Sequence, residues 1–355
     1  MASFIQINDR QISLDEIKNH APSSPFEGNA VTFIKLWLSG ENIFELETSG
    51  STGVPKTINI IRKQMEASAR FTVETLGLKP GQTVLVCLDT SYIAGKMILV
   101  RALVNNMNIV LQPPSANPLL HLDASPDFVA LVPLQLQEIL KEKRSADKLD
   151  KMQAVIVGGA PVNSSLESKI QSIKAPVYAT YGMTETVSHI ALKKLNGADR
   201  SDVFKAFEEV KLGLDERGCL TIQSVLTNNK KIITNDRVIL LDDHHFDWLG
   251  RIDNVINSGG VKVQSEKVEK VAELVFGQLN IPNRFFIAGL PDERLGEKIV
   301  LAIEAPKPLP QESLIMEMLK KQLSLYELPK EVIYISEFKE TATGKMNRRQ
   351  TLVGG

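Results

Sequence analysis

Only two of the 355 residues are cysteine, Cys87 and Cys219. Two thiols build neither a disulfide framework nor a four-cysteine zinc site. Both lie in apolar runs, VLVCL and CLTI, and read as reduced core residues rather than nucleophiles. An excess of either charge is equally absent, with 41 basic side chains against 42 acidic ones. No whole-molecule field therefore recruits nucleic acid or an anionic membrane. Long apolar runs are missing too. The best candidate, MILVRALV (97–104), is too short to span a bilayer and carries Arg101 in its middle. The stretch MASFIQINDRQ lacks the basic segment and apolar block of a signal peptide, so the chain is expected to be cytoplasmic. There are no internal repeats and no low-complexity tract.

Hydrophobic residues make up 43% of the chain and charged residues 23%, the balance of a soluble globular protein. The length allows one large and one small domain. From about 63 to 190 two textures alternate. Short apolar runs at 83–88, 108–112, 128–132, 153–157 and 176–180 read as strands, and amphipathic segments at 64–76, 92–105, 134–144 and 163–173 as helices. That alternation predicts an α/β fold, with a large domain of parallel sheets flanked by helices. Ligands of such sheets bind in the loops that leave the strands. Beyond 205 the runs shorten, at 219–223, 231–234 and 237–241, and the texture changes again near WLGRIDN (248–254). There follow Ser265 as a helix N-cap, Val268, Val271, Ala272 and Val275 on one face, strands at 284–289, 298–304 and 331–335, and a helix at 311–324. These make a small C-terminal α+β domain, and the expected division is 1–251 and 252–355.

The strongest local signal is TSGSTGVPK, comprising Thr48, Ser49, Gly50, Ser51, Thr52, Gly53, Val54, Pro55 and Lys56. Its glycines and hydroxyls can aim backbone N–H and side-chain O–H groups at phosphate oxygens, and Lys56 adds a positive charge. A Walker-type loop is excluded, because the glycines stand three apart, Pro55 interrupts, and a strand-like run follows instead of a helix.

This string resembles the phosphate loop of the acyl-adenylate-forming superfamily of acyl-CoA ligases, adenylation domains and luciferases. Further strings are similar to the family's motifs in the family's order. GGAPV, with Gly158, Gly159 and Ala160, resembles the adenine-binding segment. YGMTET, with Tyr181 and Gly182, resembles the next signature, in which the resemblance implies a phosphate contact for Thr184 and a Mg²⁺ partner in Glu185. Asp236 in ITNDRV stands where the family binds ribose, with Asn235 in place of the usual glycine. An aspartate suits that role, since it only accepts and a diol donates twice. The resemblance makes Arg251 the second ribose contact, Asp253 the hinge, and Gly259 and Gly260 part of a loop on the coenzyme A side. TATGKMNRR resembles the C-terminal signature whose lysine catalyses adenylation, here Lys345. Lys339 and Glu340 replace the family's proline and arginine, which is expected to weaken the anchoring of that loop. The family has over a hundred residues before its phosphate loop and this chain has 47. That leaves open how one wall of the acid tunnel is built, and whether a second subunit of a homo-oligomer supplies it.

The resemblance implies ATP, Mg²⁺ and coenzyme A as cofactor and co-substrates, and an acid as the group activated. SYIAGKMILVRAL (91–103) resembles the segment beside the acyl group, with Tyr92 in place of a histidine. Arg101 falls there among apolar neighbours. It is either a snorkelling or ion-paired core arginine, or a clamp for a second carboxylate. GRIDNVINSGGVKVQSEKVE (250–269) and TYGMTETVSHIAL (180–192), with Ser188 lining the acid site, are most similar to the branch that ligates o-succinylbenzoate in menaquinone biosynthesis. A small aromatic dicarboxylic acid is the implied substrate. Another aryl- or acyl-CoA ligase, a stand-alone adenylation domain and a non-catalytic nucleotide-binding relative remain as alternatives, and the role of His189 stays open.

Overall fold

Thirteen strands form one mixed sheet and five form a second. The structure, a computed structural model, describes residues 4–7, 10–47, 57–340 and 346–353. Strands β1 (Phe4–Ile7) and β2 (Arg10–Ser13) pair antiparallel at one edge of the large sheet. Helix α1 (Pro25–Leu38) starts where the Ser24 side chain accepts from the Glu27 N–H and Pro25 fills the first turn. It buries Phe33, Ile34 and Trp37. None of these elements was marked by the motifs. β3 (Ile43–Glu47) and β4 (Thr57–Ile61) form a separate antiparallel ladder. The string Thr48, Ser49, Gly50, Ser51, Thr52, Gly53 through Lys56 connects them and, like Lys345, lies outside the described residues.

The alternating region folds as α2 (Arg62–Leu76), β5 (Thr83–Val86), α3 (Ile93–Val104), β6 (Asn108–Leu111), β7 (Phe128–Leu131), α4 (Pro133–Ile139), α5 (Lys143–Leu149), β8 (Ala154–Val157), α6 (Ser164–Ile170) and β9 (Val177–Gly182). Strands β1, β6, β5, β7, β8 and β9 lie side by side and parallel, as the alternation predicts. Every residue of β7 and β8 is buried. Phe128, Ala130, Ala154 and Ile156 face a core shared with α1, α2 and α3, while Val129, Leu131, Val155 and Val157 face one filled by Leu136, Ile139, Leu149 and Leu166. Cover on both faces is why these strands read as continuous apolar runs. Cys87 and Cys219 are both free and buried. The single helix expected at 134–144 is two, because the Glu142 carboxylate accepts from the Ser145 N–H and starts α5 afresh.

The strand direction reverses at β10 (His189–Lys194), which runs antiparallel to β9. β11 (Phe204–Ala206), β12 (Lys211–Leu214), β13 (Cys219–Gln223), β14 (Ile232–Leu240) and β15 (His245–Arg251) complete the sheet in the order β10-β11-β15-β14-β13-β12. The two runs expected at 231–234 and 237–241 are one strand. Asn235 and Asp236 break its hydrophobic pattern, and the pairing with β13 bulges past residues 234–236, but the strand continues.

The smaller sheet comprises β16 (Val255–Ser258), β17 (Val261–Gln264), β18 (Phe285–Asp292), β19 (Gly296–Glu304) and β20 (Glu331–Ile335), with β20 parallel to β19 and the other pairings antiparallel. Helices α7 (Ser265–Gln278) and α8 (Glu312–Gln322) close its core through Val268, Ala272, Val275, Ile315 and Leu319, and α9 (Arg348–Val353) ends the described chain. Ser265 is the first residue of α7, one place beyond the cap at Gln264. The α7 face also meets α6, where the Ser164 N–H donates to Glu273 Oε2 at 3.4 Å. No helix among the described residues is long and apolar enough to cross a membrane.

Candidate active site

At the C-terminal end of β8 the chain turns through Gly158 and Gly159. A Cβ on Gly158 would sit 2.3 Å from Thr180 Oγ1, and Gly159 has φ of +84°. Only glycine satisfies both demands, and the exposed Ala160 follows. On the neighbouring strand, β9 ends in Tyr181 and Gly182 and leads into a short 3-10 turn, Thr184–Thr186. Glu185 is exposed on that turn, and no cation pairs with it among the described residues.

Asp236 and Arg251 face each other across the β14–β15 ladder. Asp236 is buried. The Tyr181 hydroxyl donates to its Oδ2 at 2.8 Å and the Trp248 Nε1–H to its Oδ1 at 3.2 Å. Each oxygen keeps a second lone pair, so the carboxylate can still accept from a diol. Burial, and then the Asp236 charge, push the Tyr181 phenol far above its ordinary value, so it stays a donor. Arg251 Nη1 stands 3.9 Å from Asp236, and Nη2 donates to Asp253 at 2.8 Å. Asn235, at the family's glycine position, donates to both Asp253 oxygens at 3.2 Å and accepts from Arg217 at 3.2 Å.

Asp253 lies in the one-turn helix between the two sheets. Glu266 accepts there from the Arg251 N–H at 3.2 Å and from Asn254 at 2.6 Å. Gly250, with φ of +132°, passes so close that an added Cβ would lie 2.4 Å from Glu266 Oε2. Gly259 and Gly260 form the tip of the β16–β17 hairpin. The loop that Lys339 and Glu340 were expected to anchor weakly lies outside the described residues, but Glu340 itself is held. Glu340 pairs with Arg284, which also grips Glu304 at 2.6 Å and lies over the Phe338 ring. Arg348 pairs with Glu269 at 2.8 Å.

A second cluster centres on Arg101. Its side chain, on α3, is buried with only 1% exposure, so it does not snorkel. Nη2 donates to Ser188 Oγ at 3.0 Å and stands 3.5 Å from His189 Nδ1. No carboxylate pairs with it, and Nε has no hydrogen-bond partner, among the described residues. Burial alone pulls its pKa down to about 9, which leaves a cation at neutral pH. On the far side of His189, Nε2 lies 3.1 Å from Thr72 Oγ1 on α2. Tyr92 is not brought into this cluster. It precedes α3 with 45% exposure, nine residues before Arg101 and so about 13 Å away along the helix.

Trp248 on Asp236 and Thr72 on His189 are among the polar contacts that escape sequence reasoning. Trp248 sits inside a quoted motif without an assigned task. The only sequence signal for Thr72 is the Ser68/Thr72 pair, spaced i,i+4 on the apolar face of α2.

A sequence model of the AMP-binding enzyme family matches residues 44–210. An acyl-CoA synthetase (AMP-forming)/AMP-acid ligase II-like protein of Dyadobacter fermentans is 43% identical over 95% of this chain and 97% of its own, with a TM-score of 0.65. The 2-succinylbenzoate–CoA ligase of Oceanobacillus iheyensis is 24% identical over 91% of this chain and 72% of its own. The o-succinylbenzoate CoA synthetase of Bacillus subtilis, solved with its acyl-adenylate intermediate, shares the fold at a TM-score of 0.72 and 20% identity, over 86% of this chain and 68% of that one.

Proposed function

The chain belongs to the AMP-binding enzyme family of AMP-forming acid ligases, and from that premise we propose that it converts o-succinylbenzoate into its coenzyme A thioester through an acyl-adenylate. Carboxylates are poor electrophiles. Transfer of AMP from ATP makes a mixed anhydride with a good leaving group, which the thiol of coenzyme A then attacks. Pyrophosphate leaves in the first step and AMP in the second.

The observation that carries the choice of acid is Arg101. A buried guanidinium without a carboxylate is costly, and a substrate with a second, remote carboxylate supplies the missing partner. Ser188 lies against the same guanidinium. The two relatives named as 2-succinylbenzoate or o-succinylbenzoate ligases support the same choice.

In this reading Thr48, Ser49, Gly50, Ser51, Thr52, Gly53 and Lys56 cradle phosphates. Gly158, Gly159, Ala160 and Tyr181 flank the adenine, and Asp236 with Arg251 holds the ribose. Thr184 contacts phosphate. Mg²⁺ binds mainly through substrate phosphates, water and one or two carboxylates, and the exposed Glu185 on its short turn fits that requirement. The ion neutralises charge on the phosphates when bound. Residues 1–251 bind ATP and acid, while 252–355 carry Lys345 and turn about Asp253 between the half-reactions. Gly259 and Gly260 then face coenzyme A. An ammonium at Lys345 would stabilise charge on the reacting phosphorus, an effect of roughly 3–4 kcal/mol.

ATP–pyrophosphate exchange across a panel of acids tests the substrate. Loss of a charge-assisted contact costs about 1.5–3 kcal/mol, so the dicarboxylate should exceed its analogue lacking the remote carboxylate by roughly one to two decades. Arg101→Ala should erase that preference. Equal exchange with benzoate or fatty acids in the wild type would remove o-succinylbenzoate as the substrate and leave the ligase class standing.

A further inference from the structure

His189 is buried between Arg101 and Thr72, and the groups on these two sides each have a fixed sense. Thr72 Oγ1 lies 2.9 Å from the Ser68 carbonyl, to which it donates its one proton. Towards His189 it can then only accept, so Nε2 carries the hydrogen at the 3.1 Å contact. On the other side Nδ1 faces Arg101 Nη2, which can only donate, at 3.5 Å and the Ser188 hydroxyl, which can donate or accept, at 3.4 Å. A proton on Nδ1 would point at the guanidinium and forfeit that contact. Thr72 and Arg101 therefore select one neutral tautomer, Nε2–H, and Ser188 is compatible with it.

The backbone delivering these groups is held just as firmly. Val187, fully buried, has φ of +67° and ψ of −54°, a combination foreign to a β-branched residue. It is the centre of a γ-turn of the rarer hand, closed by the Ser188 N–H on the Thr186 carbonyl at 2.7 Å. Thr186 Oγ1 braces the turn against the Met183 N–H at 3.0 Å and lies 2.8 Å from the Ser188 carbonyl. Strain of this kind persists only where the surroundings over-determine it, and it gathers at functional sites.

We infer that His189 is a positioning residue for the acid-binding guanidinium: held as the Nε2–H tautomer by Thr72, it accepts from Arg101 through Nδ1 and, with Ser188, turns that side chain so that its unpartnered donors face the acid. This rests on the assignment of Arg101 to a substrate carboxylate. Burial, and then Arg101, hold the His189 pKa well below the ordinary imidazole value, in keeping with a ring that stays neutral. In this role His189 acts on the substrate only through Arg101.

The test compares kcat/KM for o-succinylbenzoate and for its analogue lacking the remote carboxylate, in wild type, Arg101→Ala, His189→Leu, His189→Asn and Thr72→Val. Asparagine keeps an acceptor near the Nδ1 position, and leucine removes it. The wild-type preference should fall by about tenfold in His189→Leu, largely through KM for the dicarboxylate. His189→Asn should recover most of it. Long-range ¹⁵N–¹H spectra of wild type should give the Nε2–H pattern for His189, and Thr72→Val should shift it. A wild type without preference would overturn the substrate assignment and this inference together. Preference kept in His189→Leu but lost in Arg101→Ala would overturn the inference alone. Should His189→Leu fail to fold, an Nδ1–H or doubly protonated signature in wild type at neutral pH would overturn it equally.

Discussion

Glu273 is a carboxyl caught where α7 meets α6, and its pKa is raised to about 7 from 4.5, chiefly by burial and further by Glu269 and Glu167. The Ser164 N–H and Lys270 pull the other way and do not prevail. In the unfolded chain the same carboxyl titrates near 4.5. Between those two values the folded protein holds a proton that the unfolded chain has released, so stability must fall as pH rises through the interval. The full shift corresponds to roughly 3 kcal/mol. Glu273 is only partly buried, and screening reduces the expected effect to about 1–2 kcal/mol. Glu273→Gln should therefore be more stable than wild type at pH 8 and indistinguishable from it only at about pH 4 and below. Chemical denaturation at several pH values, followed by hydrogen exchange of the α6 and α7 amides, measures both the size and the place. Parallel pH profiles for the two proteins would refute the argument, because a carboxyl that ionises freely in place has no linkage to lose.

Gly250→Ala forces a Cβ into the Glu266 carboxylate at a φ of +132°, and should cost about 2–3 kcal/mol of stability in thermal denaturation while raising KM for ATP through the neighbouring Arg251. Lys345→Ala should cripple acyl-adenylate formation by about a hundredfold or more and leave thioester formation from supplied acyl-adenylate largely intact. Equal losses in the two half-reactions would remove Lys345 from the first step.

The parallel half of the fold was legible because its strands bury both faces and its helices carry their own period, so each element announces itself locally. The string at 48–56 stands out in the sequence for a related reason, since its glycines and hydroxyls come in one stretch. What escaped depends on distant partners. Arg101 could be singled out as odd, but whether a carboxylate pairs with it depends on Ser188 and His189, 87 and 88 residues away. Glu340 seemed a loss beside a family arginine because Arg284, its partner, stands 56 residues upstream. Strand β14 reads as two runs because the polar Asn235 and Asp236 interrupt its hydrophobic pattern, where the ladder bulges but the strand does not end.

The buried guanidinium on α3 also bears on how this protein would respond to selection for robustness. A buried charge with no counter-charge among the described residues lowers the stability of the free protein. An apolar side chain of similar volume at position 101 would be expected to raise it, as replacement of buried ions by well-packed hydrophobic residues often does. A laboratory search that rewarded only resistance to heat would be drawn to that position early and, on the proposed role of Arg101, would discard acid recognition in doing so. On the same proposal the acid, by supplying the missing charge, would act as a folding ligand, and protein made in its absence should be the more fragile form.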